Sequence, residues 1–257
     1  GCEIILLPDF LINRSGLAHI ICKSFNFKKE VEVHLSYLRL TVGLVLDSNI
    51  GGSIAVESKS FGSIWHITSC IFSGCKPSET SCANKGGSIM VSFDSGSTSK
   101  VTMNIINSEF KKIRSRSDGG AIYFYDTRKS GDASALTIEG STFEGCTAAG
   151  SGGAVYIYSS INKLDLKLTS TTFKNNRAES KGGAIFSGNK AEVSLVGGLN
   201  VFEGNKAKHT VGNSFNLQNG AKVNTTQCLA SPSDSVIWRT AETNSYEADF
   251  NGCPYTC

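Results

Sequence analysis

Glycine pairs recur along the chain at nearly even spacing, at Gly51-Gly52, Gly86-Gly87, Gly119-Gly120, Gly152-Gly153 and Gly182-Gly183. The steps between them are 35, 33, 33 and 30 residues, and a weaker copy at Gly212-Asn213 follows 30 residues on. Each pair opens a short apolar run, and a phenylalanine comes later in each repeat, at Phe72, Phe110, Phe143, Phe173 and Phe202. A fixed period of this length means one structural unit stacked on copies of itself. It constrains the fold more than any other feature of the chain.

Aligned on the glycines, the second and fourth residues after each pair are apolar: Ile54/Val56, Ile89/Val91, Ile122/Phe124 and Val155/Ile157, with Ile185 followed by Ser187. That alternation predicts a strand with one buried face. A second strand precedes each phenylalanine, with anchors such as Leu136/Ile138 and Leu166/Leu168, and the phenylalanine is its third anchor. Short strands with no helical period between them exclude βαβ units, and a propeller blade needs about 40 residues. The expected fold is all-β, a parallel β-solenoid of about six rungs spaced ~4.8 Å apart with capped ends. Residues 1–49 are expected to form an N-terminal cap with a degenerate first rung, and residues 50–220 the repeats. Residues 221–257 are expected to form a C-terminal cap or the start of a cysteine-rich segment. Equivalent residues then stack, so Asn176 and Asn205, each three past its phenylalanine, are expected to form an amide ladder inside a turn.

The net charge is only +3 and dispersed, which excludes a nucleic-acid partner. No stretch approaches the ~18 apolar residues of a membrane span. Because the chain opens on Gly1, it is expected to be processed or a fragment. Nine cysteines at irregular spacing carry no zinc pattern, and neither a cofactor nor a metal is expected. Cys228, Cys253 and Cys257 lie in a segment without repeat character, where disulfides offset a poor core in the manner of secreted proteins. Asn13-Arg14-Ser15 and Asn224-Thr225-Thr226 are glycosylation triplets. An extracellular or cell-surface location is expected.

The pairing of GGAI or GGAV with FxxN resembles the repeat of the chlamydial-type polymorphic outer membrane proteins. Gly182-Gly183-Ala184-Ile185 carries the first motif, and Phe173-Lys174-Asn175-Asn176 and Phe202-Glu203-Gly204-Asn205 carry the second. Gly119-Gly120-Ala121-Ile122 and Gly152-Gly153-Ala154-Val155 match the first half. Phe72-Ser73-Gly74-Cys75 and Phe143-Glu144-Gly145-Cys146 put cysteine in place of asparagine, and Phe110-Lys111-Lys112-Ile113 puts isoleucine there. The resemblance covers residues 50 to 215. It implies a right-handed parallel β-helix and, from the bacterial members, a secreted passenger that acts in adhesion.

Outward positions of the first strand form an aromatic column of Met90, Tyr123, Tyr156 and Phe186, with Tyr125 and Tyr158 two residues on. These rings are either a binding face for a protein or glycan or a structural ladder. A β-helix carbohydrate-active enzyme, lyase or hydrolase, is the alternative function, and it needs carboxylates converging on one groove. Asp118 has Ile50, Lys85, Ser151 and Lys181 as column mates, so no acidic pair forms there. Asp126, Arg128 and Asp132 read as a solvated turn with an incidental ion pair. His66 is outward, and His19, His34 and His209 share no repeat phase. The expected function is therefore a non-catalytic rigid spacer and adhesion or interaction surface.

Overall fold

The computed structural model describes residues 11–12, 20–23, 31–41, 52–58, 62–74, 83–93, 96–208, 213–218, 221–225 and 248–250. They form an all-β parallel solenoid of about five turns, with no helix, close to the six rungs expected. One turn runs through strands Ile122–Asp126, Ser134–Glu139, Thr142–Glu144 and Thr147–Ala148. Each pairs in parallel with its equivalent one turn on: Ile122 with Val155, Leu136 with Leu166, Phe143 with Phe173, Ala148 with Ala178. The phenylalanine strands form a seven-stranded sheet and the two-residue strands a four-stranded one. The other two columns are joined into one 13-stranded sheet, because Val155–Thr169 runs through the corner as a single strand. Within 1–49, Ile20–Lys23, Val31–Ser36 and Arg39–Thr41 pair with the turn that follows. Within 221–257, Ala248–Phe250 pairs with Lys222–Thr225.

The interior is a set of apolar stacks. Ile122, Val155 and Ile185 are fully buried in one, and Phe143, Phe173 and Phe202 are buried in another. From Phe72 to Phe202 successive rings lie face to face at 4.6, 4.4, 4.9 and 5.0 Å, within 7° of parallel. The ring spacing is the rung spacing, so contact between rungs is continuous along the axis. One detail differs from the sequence expectation. The phenylalanine is not the third anchor of the preceding strand but sits on a strand of its own. A residue at positive φ bends the chain between the two, at Ser69 (52°), Asn107 (49°), Gly140 (56°) and Ser170 (47°).

Polar side chains inside the solenoid satisfy the backbone where it bends. Asn176 Nδ2 donates to the Phe143 carbonyl and to Asn205 Oδ1, both at 3.0 Å, while its own Oδ1 accepts from the Cys146 amide at 2.9 Å. Asn205 repeats the pattern one rung on, through the Asn176 amide and the Phe173 carbonyl. A second ladder, missed in the sequence, stands two residues before each phenylalanine at Ser108, Ser141, Thr171 and Asn200. Ser108 Oγ and Ser141 Oγ accept from the backbone amides of Cys70 and Ser108, and Asn200 Oδ1 accepts from that of Thr171. Its residue type changes from rung to rung, which hides it. Asn176→Ala strands buried groups on two rungs, and each unsatisfied group costs about 1–3 kcal/mol. The variant is expected to unfold at least 2 kcal/mol more easily in urea.

Candidate functional site

Strand alternation turns Ile122, Phe124 and Asp126 inward, and it sends Tyr123 and Tyr125 to the outer face. In-register pairing then places Tyr123 beside Tyr156 and Tyr156 beside Phe186, with ring centroids at 5.0 and 4.8 Å and planes within 14°. Tyr125 and Tyr158 make a second stack at 5.0 Å. Gly188 closes this second stack, because a Cβ there would lie 2.8 Å from the Tyr158 ring. Tyr158 Oη accepts from Asn189 Nδ2 at 2.6 Å. Lys85 Nζ lies 5.0 Å from the Tyr123 ring centroid and 5.9 Å from that of Tyr125, within cation–π range.

The rings stand side by side, as a binding face requires, but they are less open than outward parity suggested. Tyr123 is 4% and Phe186 6% exposed, while Tyr125, Tyr156 and Tyr158 are half-buried. Tyr123 lies between Tyr156 and Met90 with Lys85 near its ring, and Phe186 lies between Tyr156 and Asn216. Burial, with smaller contributions from Asp118 and the neighbouring tyrosines, raises the Tyr123 and Tyr156 phenols well above the usual range. Burial also raises Tyr125. These hydroxyls are therefore neutral donors at physiological pH.

Asp126 and Arg128 are a correction. Both side chains are fully buried, so the ion pair is an interior one, while residues 129–133 of the turn, Asp132 among them, are exposed. Arg128 donates through Nε to Asp126 Oδ1 at 3.0 Å and through Nη2 to Oδ2 at 2.6 Å, a bidentate pair. Nη2 also reaches the Asp132 carbonyl and Ser134 Oγ, both at 2.9 Å, and Nη1 donates to the Ser99 carbonyl. The guanidinium covers the Phe93 ring at 4.5 Å. Both groups are fully buried and engaged with each other, so the pair fills a corner of the solenoid.

Asp118 Oδ1 accepts from the Ser151 amide at 2.7 Å, bracing the edge of the aromatic face. Cys146 is buried among backbone carbonyls, and burial pushes its thiol up to about 12, far from a nucleophile's range. Cys75, Cys228, Cys253 and Cys257 lie outside the described residues. His34, expected to share no repeat phase with His19 and His209, is the register partner of the outward His66, on Val31–Ser36 and Ser63–Thr68. Glu32 joins them, so the structure places three metal-ligand side chains together where none was expected.

The fold and the outer face define a parallel β-solenoid with an aromatic ladder along one side. Residues 170–188 match the Chlamydia polymorphic membrane protein repeat. That stretch holds Phe173, Asn176, Gly182 and Gly183, which are the residues that carry the bends, the amide ladder and the phenylalanine stack. No curated protein and no solved structure matches the chain. Among the described residues no helix is long and apolar enough to cross a membrane.

Proposed function

We propose that the chain is a non-catalytic, surface-exposed β-solenoid that serves as a rigid spacer and presents an adhesion or interaction face to a protein or glycan. The observation that carries this reading is the edge formed by Tyr125 and Tyr158, half-buried rings aligned at the rung spacing, with the half-buried Tyr156 beside Tyr158 on the same strand. Planar rings bind at low entropic cost because few torsions need ordering. The match of residues 170–188 to a membrane-protein repeat supports a surface location. In that setting two of the terminal cysteines Cys228, Cys253 and Cys257 pair as a disulfide. The engagement of Asp118 and Asp126 within the fold argues against the carbohydrate-active alternative, which needs free convergent carboxylates.

Tyr125→Ser/Tyr158→Ser is expected to lower retention on cultured cells or a glycan array at least tenfold while the melting temperature stays within a few degrees, since neither ring is in the core. Unchanged retention, or no retention by the unaltered protein, rejects the interaction face. A reducing-sugar assay on polyuronides is expected to show no turnover, and turnover there overturns the non-catalytic assignment.

A further inference from the structure

We propose that Glu32, His34 and His66 form a binding site for a zinc-class divalent cation, one that clasps the first of these turns to the second. The inference is independent of the aromatic face. Glu32 and His34 are two apart on Val31–Ser36 and so project from the same outer face, and parallel register sets His66 of Ser63–Thr68 directly beside His34. Glu32 Oε1 lies 3.1 Å from His34 Nε2 and 3.1 Å from His66 Nε2. Zinc bound to imidazole and carboxylate at about 2.0–2.2 Å puts tetrahedral ligand atoms roughly 3.3 Å apart. Two edges of the required triangle are therefore already close to their bound length. The three ligand atoms all lie within 4.8 Å of one another. The third edge, between the two Nε2 atoms, closes by tilting imidazoles that are now stacked at 4.6 Å and 11°.

The tilt is cheap because the side chains are accessible, at 49% for His34, 32% for His66 and 56% for Glu32. Solvent access also leaves the fourth position to water, as in an open zinc site. Two imidazole nitrogens and one carboxylate oxygen suit Zn²⁺, Cu²⁺ or Ni²⁺, and they are a poor set for Ca²⁺ or Mg²⁺, which take mainly oxygen. An ion here spans two successive rungs, so it stabilises the stacked state and not the unfolded chain.

Co²⁺ titration of the full chain tests the site, because a strong near-ultraviolet charge-transfer band marks thiolate ligation and separates the cysteines from a nitrogen–oxygen site. One saturable Co²⁺ without that band is expected, displaced by Zn²⁺, and Zn²⁺ is expected to raise the melting temperature. His66→Asn, which places in the column the residue it already carries at Asn104, is expected to weaken binding at least tenfold and abolish the thermal shift. Glu32→Gln, an exposed change that leaves the core alone, is expected to weaken binding in the same direction. His19→Asn/His209→Asn is expected to leave it unchanged. No saturable binding by the unaltered chain, a thiolate spectrum, or full binding by a folded His66→Asn or Glu32→Gln variant overturns the proposal.

Discussion

Arg128→Met is expected to cost about 3–5 kcal/mol of stability, the range for removing one partner of a buried ion pair. The substitution leaves the Asp126 carboxylate fully buried with its bidentate donor gone. It also deprives the Asp132 carbonyl, the Ser99 carbonyl and Ser134 Oγ of a donor in the same corner. At roughly 2–4 °C per kcal/mol for a domain of this size, the melting midpoint falls by about 6–20 °C. Asp126→Leu/Arg128→Met removes both charges and is expected to recover part of that loss, because the penalty lies chiefly in the uncompensated charge. Urea unfolding of the two single variants and the double variant measures the coupling. A loss below about 1 kcal/mol for Arg128→Met would show that water reaches Asp126 and that the pair behaves as a surface one.

Gly153→Ala is expected to cost about 3 kcal/mol or more, because overpacking against rigid backbone cannot be relieved by a rotamer change. A Cβ at Gly153 would lie 2.0 Å from the Gly183 carbonyl oxygen and 2.6 Å from the Arg177 carbonyl carbon, both backbone. Making room means separating rungs that are joined here by a 2.9 Å bond from the Gly153 amide to the Gly182 carbonyl. The control is Gly145→Asn. Gly145 has φ of 65°, but the nearest atom to a Cβ there is 3.6 Å away, and the same column holds Lys112 and Asn175 at positive φ. That change is expected to stay within about 1 kcal/mol, the scale of a single left-handed residue. Gly153 is not among the glycines at positive φ, so a loss at Gly153 no larger than that at Gly145, measured by thermal or urea unfolding, would show that the backbone yields to a Cβ and that close approach does not select glycine there.

These sites differ in how far they could be read from the residues alone. A repeat writes one environment several times over, so Ile122, Val155 and Ile185 declare an inward column, and Phe143, Phe173 and Phe202 another. The same repetition exposes the demand for glycine at Gly119-Gly120, Gly152-Gly153 and Gly182-Gly183, and the amide ladder of Asn176 and Asn205. The ladder of Ser108, Ser141, Thr171 and Asn200 escaped because three side-chain types perform one hydrogen-bonding task. Alternation gave the outward direction of Tyr123 and Phe186, but direction is not exposure. Their closure depends on the Tyr156 ring on one side and on Met90 or Asn216 on the other, with Lys85 near Tyr123, all of them distant in sequence. Arg128 and Asp126 looked like surface residues because charge alone favours water, and only the enclosed corner with five acceptors for one guanidinium reverses that preference. His34 stands before the first glycine pair, so nothing in the spacing declared it a neighbour of His66. Strand register, set by packing of Leu35 on Ile67 and Val33 on Trp65 in the core beneath, brings the two imidazoles together.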